Sequence, residues 1–266
     1  MRLLKWTGLF LLALYLTGAA LAQSPTQPQT PAGSRLDHIL TRGILRVGLT
    51  GDYRPFSALD KPTGTYSGLD VDMAMALAAE LGVKLEIVAT KWSDLINDVN
   101  GDKFDVGMGG ISVNLTRQKL ALFSVPLMQT GKTPIVRCTD RGKYQTLATI
   151  DRPNVKVIVN PGGTNEKFDR ANLTRAQIVL FPDNTKIFEE IIDKRADVMI
   201  TDAVEARLQQ KLHRELCAIH PDKPFDFGEL AYLLPRDFVW KAYVDQFVHL
   251  TQANGAYAKL TAKWLE

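Results

Sequence analysis

Four charged residues stand where an apolar run gives way to a glycine or a polar turn, which is where chemistry is easiest to build. They are Arg117 in GGISVNLTRQK, Lys132 in TGKTP, Glu166 in VNPGGTNEKF and Asp202 in ITDAVEARL. A guanidinium takes a carboxylate through two parallel hydrogen bonds. A lysine adds a mobile point charge, and a lone one says little. A carboxylate can hold an ammonium group, and a carboxylic acid can hand a proton to a departing oxygen. The set suits a small ligand that carries carboxylates, with an acid close by.

Each residue also has a plainer reading. Arg117 opens the first turn of a helix that Asn114 can cap, where the partial positive charge of the helix end disfavours a cation. An anion seated between them would resolve that conflict, and a solvated surface arginine would ignore it. Asp202 can hold an ammonium group, or simply cap the helix that carries Ala203 to Leu212, which is the simpler account. Pro161-Gly162-Gly163 lets backbone N–H groups approach a ligand closely. With Thr164 as the cap, Glu166 stands at N2, and a capping box would need its acid at Lys167. The plain reading of Glu166 is then an acid–dipole contact of ~0.3–1 kcal/mol. Tyr53, Phe56 and Trp92 read as an aromatic wall or as core packing.

The elements that must position these residues alternate. Ile44 to Leu49 is a strand, Asp70 to Leu81 a helix closed by Gly82, and Leu85 to Val88 a strand. Ser93 to Val99 is a short helix capped by Ser93, and Phe104 to Met108 a third strand. The pattern restarts with a strand at Val155 to Val159, a helix at Glu166 to Asn172 and a strand at Ala176 to Leu180. A helix at Lys186 to Asp193 and a strand at Ala196 to Ile200 complete it. This order predicts two α/β lobes, each with a parallel sheet, and a ligand cleft between them. The first lobe takes residues 34–133 plus 230–266 and the second 134–229. Asp52, Gly110, Ser112, Thr164 and Asn165 sit on the same strand-end turns as the charged set.

The first residues are set apart. Arg2 and Lys5 precede an apolar run, Leu9 to Tyr15, and small residues follow up to Ala20-Leu21-Ala22. That is the layout of a secretory signal peptide, residues 1–22, cleaved after Ala22, with an uncleaved anchor as the alternative. Residues 23–33, QSPTQPQTPAG, read as a Pro-rich linker. No later segment has the ~20 apolar residues of a membrane helix, so the mature chain is expected to be soluble. The whole chain has 32 basic and 29 acidic residues, and without Arg2 and Lys5 the net charge is +1. Nothing clusters as a nucleic-acid-binding face would. Cys138 and Cys217 are the two cysteines. In an oxidising compartment a pair favours a disulfide over two buried thiols. Two Cys and four scattered His offer no metal-ligand spacing, and no cofactor is expected. A homo-oligomer is compatible with the sequence.

Beyond these readings, LRVGLTGDYRPFS, GLDVDMAMALAAELG and FDVGMGGISVNLTRQKLALFSVP resemble segments of the periplasmic amino-acid-binding proteins of ABC transporters. The resemblance implies a type II periplasmic-binding-protein fold. It also implies that Arg117 holds a ligand carboxylate and Asp202 an ammonium group. Within that superfamily the chain resembles the cyclohexadienyl dehydratases, secreted enzymes on the same fold. GDYRPFS, GKTPI, NPGGTNEKFDRANL, HRELCAIHP and KPFDFGELAYLLPRD carry that likeness, NPGGTNEKF most specifically. It implies decarboxylating dehydration of prephenate to phenylpyruvate and of arogenate to phenylalanine, with Glu166 as the proton donor. Arg117, Ser112 and Asn114 would then hold the side-chain carboxylate, and Thr164, Asn165 and Lys132 the ring carboxylate. A non-catalytic amino-acid-binding protein is the alternative.

Overall fold

The computed structural model describes residues 33–265. The expected signal peptide and cleavage site, and residues 23–32 of the expected linker, lie outside the described residues. The alternating segments build two mixed sheets. In the first, Ile44–Leu49 lies between Lys84–Ala89 and Val106–Ser112, parallel to both. Its side chains alternate, and Leu45, Val47 and Leu49 are fully buried. The helix Leu69–Leu81 lays Val71, Met73, Leu77 and Leu81 against them, and Gly82 ends it in the left-handed region. From the helix Phe238–Ala253, Trp240, Val244, Phe247 and Val248 join the same cluster at helical spacing. Each such side chain stabilises the fold by ~1.5–3 kcal/mol through the apolar surface it removes from water.

The second sheet runs Gln177–Leu180, Lys156–Val159, Val198–Asp202, Lys132–Arg137, Leu216–Ala218. Its first three strands are parallel, and Lys132–Arg137 is antiparallel to both of its neighbours, Val198–Asp202 and Leu216–Ala218. A disulfide ties Cys138, the first residue after the strand Lys132–Arg137, to Cys217 in the strand Leu216–Ala218.

The all-parallel expectation therefore holds for only three strands in each sheet. Gly228–Leu234 enters the first sheet antiparallel to Val106–Ser112. Lys132–Arg137 does the same against Val198–Asp202. Both strands lie at a crossing from one sheet to the other, with no helix to return the chain to the same edge. The outward crossing is at Gly131, between Met128–Thr130 and Lys132–Arg137. A β-carbon on Gly131 would overlap the Asp226 carbonyl of the returning segment, so the two connections pack against each other there.

Two local expectations are corrected. The short helix is Leu95–Asn100 with Asp94 at its N-cap, and Ser93 Oγ instead donates to the Asp94 carboxylate at 2.7 Å. Asp52 and Tyr53 lie in a strand of a small third sheet with Ser57–Asp60 and Thr65–Ser67. No described helix is long and apolar enough to cross a membrane.

Candidate active site

The carboxyl ends of both sheets face one small cavity of about 20 Å³. Tyr53, Trp92, Gly110 and Ser112 line it from one side. Asn160, Gly163, Thr164, Asn165, Asn184, Asp202 and Glu205 line the other. Three contacts close the two walls. Ser112 Oγ lies 3.1 Å from Thr164 Oγ1, Tyr53 OH donates to Asp202 Oδ2 at 2.7 Å, and Asn184 Nδ2 donates to the Asp52 carbonyl at 3.0 Å. Organic ligands occupy ~300–1,000 Å³, so these contacts must part to admit one.

Gly110 shows why the wall has the residues it has. Its φ is +70°, and a β-carbon there would overlap the Phe56 and Tyr53 rings. Glycine meets both demands. The buried carboxyl of Asp70 accepts from Gly109 and Gly110 N–H, each at 2.8 Å, which holds the turn in place. Tyr53 packs against Trp92 at 5.6 Å in an edge-on pair and against Phe56 at 5.2 Å. Phe56 lies beneath the wall in the core rather than on the cavity. Trp92 Nε1 donates to Asp52 at 3.0 Å, and Asp52 faces a separate outer groove. Burial raises the Asp52 pKa above its ordinary value, against the hydrogen bonds that lower it.

Asp202 and Lys132 are opposite residues in an antiparallel strand pair, so their side chains meet. Lys132 Nζ donates to Asp202 Oδ1 at 2.8 Å, to Asn165 Oδ1 at 2.6 Å and to Thr164 Oγ1 at 3.2 Å. Both side chains of the ion pair are buried. Asp202 occupies the N-cap of the helix Ala203–Leu212 but makes no side-chain cap bond. The cap reading therefore gives its position and not the use of its carboxylate.

Arg117 is 5% exposed and makes no ion pair with any described carboxylate. Asn114 caps its short helix by accepting from the Arg117 N–H at 2.9 Å, and the guanidinium donates to the Ser112 carbonyl at 2.9 Å. Desolvation lowers its pKa to about 10, against the attraction of Asp202. A buried cation without a counterion is costly, and an anionic ligand would relieve the cost. Arg117 and Asn114 stand behind Ser112 rather than on the cavity wall.

Glu166 differs from its expected place. The helix is Thr164–Asn172 with Gly163 as N-cap, so Glu166 stands at N3, the position of the acid in a capping box. Its Oε2 accepts from Gly162 N–H at 2.7 Å, and its Oε1 accepts from Arg170 Nε at 2.8 Å. The Gly162 bond, then Arg170, hold its pKa below the ordinary glutamate value. It lies one residue beyond the cavity lining formed by Gly163, Thr164 and Asn165.

Two lining residues were not singled out from the sequence. Asn184 has its Oδ1 buried without a partner. Glu205 is fully buried, accepts from Thr201 Oγ1, and desolvation pushes its pKa up to about 8. In the sequence, Asp202-Ala203-Val204-Glu205 has the spacing of a helix cap and its N3 acid, which hides a cavity residue.

Comparison with known proteins identifies the family. Residues 45–266 match the family described as bacterial extracellular solute-binding proteins, family 3. The chain belongs to this family. Among its solute-binding relatives, the cyclohexadienyl dehydratase of Pseudomonas aeruginosa is 54% identical over 248 residues, covering 93% of this chain and 91% of that protein. The L-cystine-binding protein TcyJ of Escherichia coli K12 is 26% identical over 86% of this chain and 85% of its own length. The solved structure of an ancestral amino acid-binding protein, described as a precursor of cyclohexadienyl dehydratase, matches with a TM-score of 0.81 at 36% identity. That match covers 88% of this chain and all of the other. An ancestral cyclohexadienyl dehydratase matches at 51% identity with a TM-score of 0.56, over 88% and 97% of the two chains.

Proposed function

We propose that this solute-binding protein is an enzyme, a cyclohexadienyl dehydratase that acts in the periplasm. It converts prephenate to phenylpyruvate, and arogenate to phenylalanine, each with loss of water and carbon dioxide. The fold alone serves binding and catalysis equally. The observation that carries the reading is the 54% identity to the Pseudomonas aeruginosa dehydratase across 93% of the chain. The disulfide suits an oxidising compartment, with the chain released after Ala22. We assign residues 34–133 plus 230–266 to one lobe and 134–229 to the other, which follows the strand membership of the two sheets closely.

The reaction needs one proton, delivered to the ring hydroxyl, because hydroxide is a poor leaving group. As the C–O bond breaks, the bond to the ring carboxylate breaks too. Its electron pair enters the ring, which becomes aromatic, and CO₂ departs. Glu166 is the general acid, and solvent restores its proton afterwards. A positioned acid contributes roughly 10²–10⁴-fold. At rest Glu166 is a paired carboxylate, so it must leave Arg170 and gain a proton. A dianionic substrate and the exclusion of water both favour the neutral form. Arg117, with Ser112 and Asn114, holds the side-chain carboxylate. Thr164 and Asn165 face the ring carboxylate. That group must leave uncharged, so a tight grip on it would oppose the reaction.

The test is to incubate the purified protein with prephenate and follow phenylpyruvate absorbance in alkali. The wild type is expected to turn over, and Glu166→Gln to lose most of that activity. A silent wild type that binds an amino acid tightly would identify a transport receptor instead.

A further inference from the structure

The cleft holds a carboxylate that is already used. Asp202 is 4% exposed and lines the cavity, the natural place for a group that grips a cation. Both of its oxygens are committed, one to Lys132 and one to Tyr53 OH. Lys132 is committed as well. Its three ammonium protons go to Asp202, Asn165 and Thr164, and it is 5% exposed. The pair is charge-neutral and sealed in the wall. Glu205 adds no charge near neutral pH, because burial keeps it protonated up to about pH 8. Arg117, behind Ser112 on the opposite side, is then the buried charge beside the cavity that lacks a carboxylate partner among the described residues, and it is positive.

A ligand with an ammonium group next to its carboxylate must either displace Lys132 from Asp202 or share it, leaving two cations to one carboxylate in a dry site. A keto acid meets neither cost. We propose that Lys132 determines specificity: by neutralising Asp202 within the protein, it lets a wall that would select an amino acid accept a keto acid. The inference rests on the dehydratase reading and names the residue that balances its two substrate classes.

Two charge-removing changes test it through opposite shifts. Lys132→Gln keeps donors for Asn165 and Thr164 but leaves Asp202 uncompensated. Asp202→Asn removes the carboxylate and leaves Lys132 as a free cation. The readout is the ratio of kcat/KM for prephenate to kcat/KM for arogenate, with Tm recorded for each variant. In Lys132→Gln the ratio is expected to fall by about tenfold or more, the scale of one uncompensated charge contact. In Asp202→Asn it is expected to rise. General damage to the site would lower both activities together and leave the ratio fixed. A ratio unchanged in both variants, or shifted the same way in both, overturns the proposal. If Lys132→Gln does not fold, the direction of the ratio in Asp202→Asn decides alone. A wild type inactive on both substrates would instead defeat the dehydratase reading itself.

Discussion

The carboxylate of Glu166 and the guanidinium of Arg170 pair one turn apart on the helix Thr164–Asn172, Oε1 to Nε at 2.8 Å. The pair keeps the acid ionised at the edge of the cleft. A general acid must be protonated, so activity should fall as pH rises through its pKa. In the free protein that pKa lies below the ordinary glutamate value, because of the Gly162 N–H first and Arg170 second. In the closed complex, desolvation and the substrate's charges push it up. The limb seen in kcat should therefore lie at higher pH than the limb seen in kcat/KM. Arg170→Gln should move the kcat/KM limb upward, because it removes the second of the two contacts that lower the Glu166 pKa. Coincident limbs in the wild type would count against substrate-driven protonation of Glu166.

Arg117 makes a different prediction, in which stability and function part company. The guanidinium is buried with no carboxylate partner and pays for its desolvation in the free protein. Arg117→Met fills similar space without charge. We expect a higher Tm for the unliganded variant, despite the lost bond to the Ser112 carbonyl. We also expect kcat/KM to fall by about 30-fold or more, because a substrate carboxylate loses its partner in a desolvated site. Calorimetry and steady-state kinetics on one preparation measure both. A variant that is less stable than wild type, with its activity retained, would make Arg117 a structural residue.

Much of the fold was legible because local pattern and tertiary packing agree. Leu45, Val47 and Leu49 alternate into the core, and Val71, Met73 and Leu77 meet them from a helix whose Gly82 stop was readable. The antiparallel strands were not, since the strand at Lys132–Arg137 takes its direction from a crossing between sheets. The site divides in the same way. Tyr53, Trp92, Gly110, Ser112, Thr164, Asn165 and Asp202, each readable as a candidate, lie on the cavity. How Asp202 is used depends on its cross-strand partner, 70 positions away in the chain. No local window contains that pair. Glu166 shows the limit most sharply. A shift of one residue in the N-cap, from Thr164 to Gly163, moves it from N2 to the N3 position.

Asp169 lies one turn beyond Glu166 and tests the electrostatics of the same helix through stability. It is fully buried, and neither carboxyl oxygen has a partner. Burial pushes its pKa up to about 8, against the attraction of Lys132. In the unfolded chain an aspartate titrates near ~3.9. Between those values the folded protein holds a proton that the unfolded chain has released, so stability must fall as pH rises. Glu205, with a pKa of about 8, and Asp70, with one of about 6, act in the same direction. Asp169→Asn keeps the shape and removes the titration. Tm measured from pH 5 to pH 8 should decline less steeply in Asp169→Asn than in wild type. At pH 8 the variant should be the more stable of the two, because wild type there carries a partly ionised carboxylate with no donor. Parallel curves across that range would mean that Asp169 does not titrate in the folded protein as its burial requires.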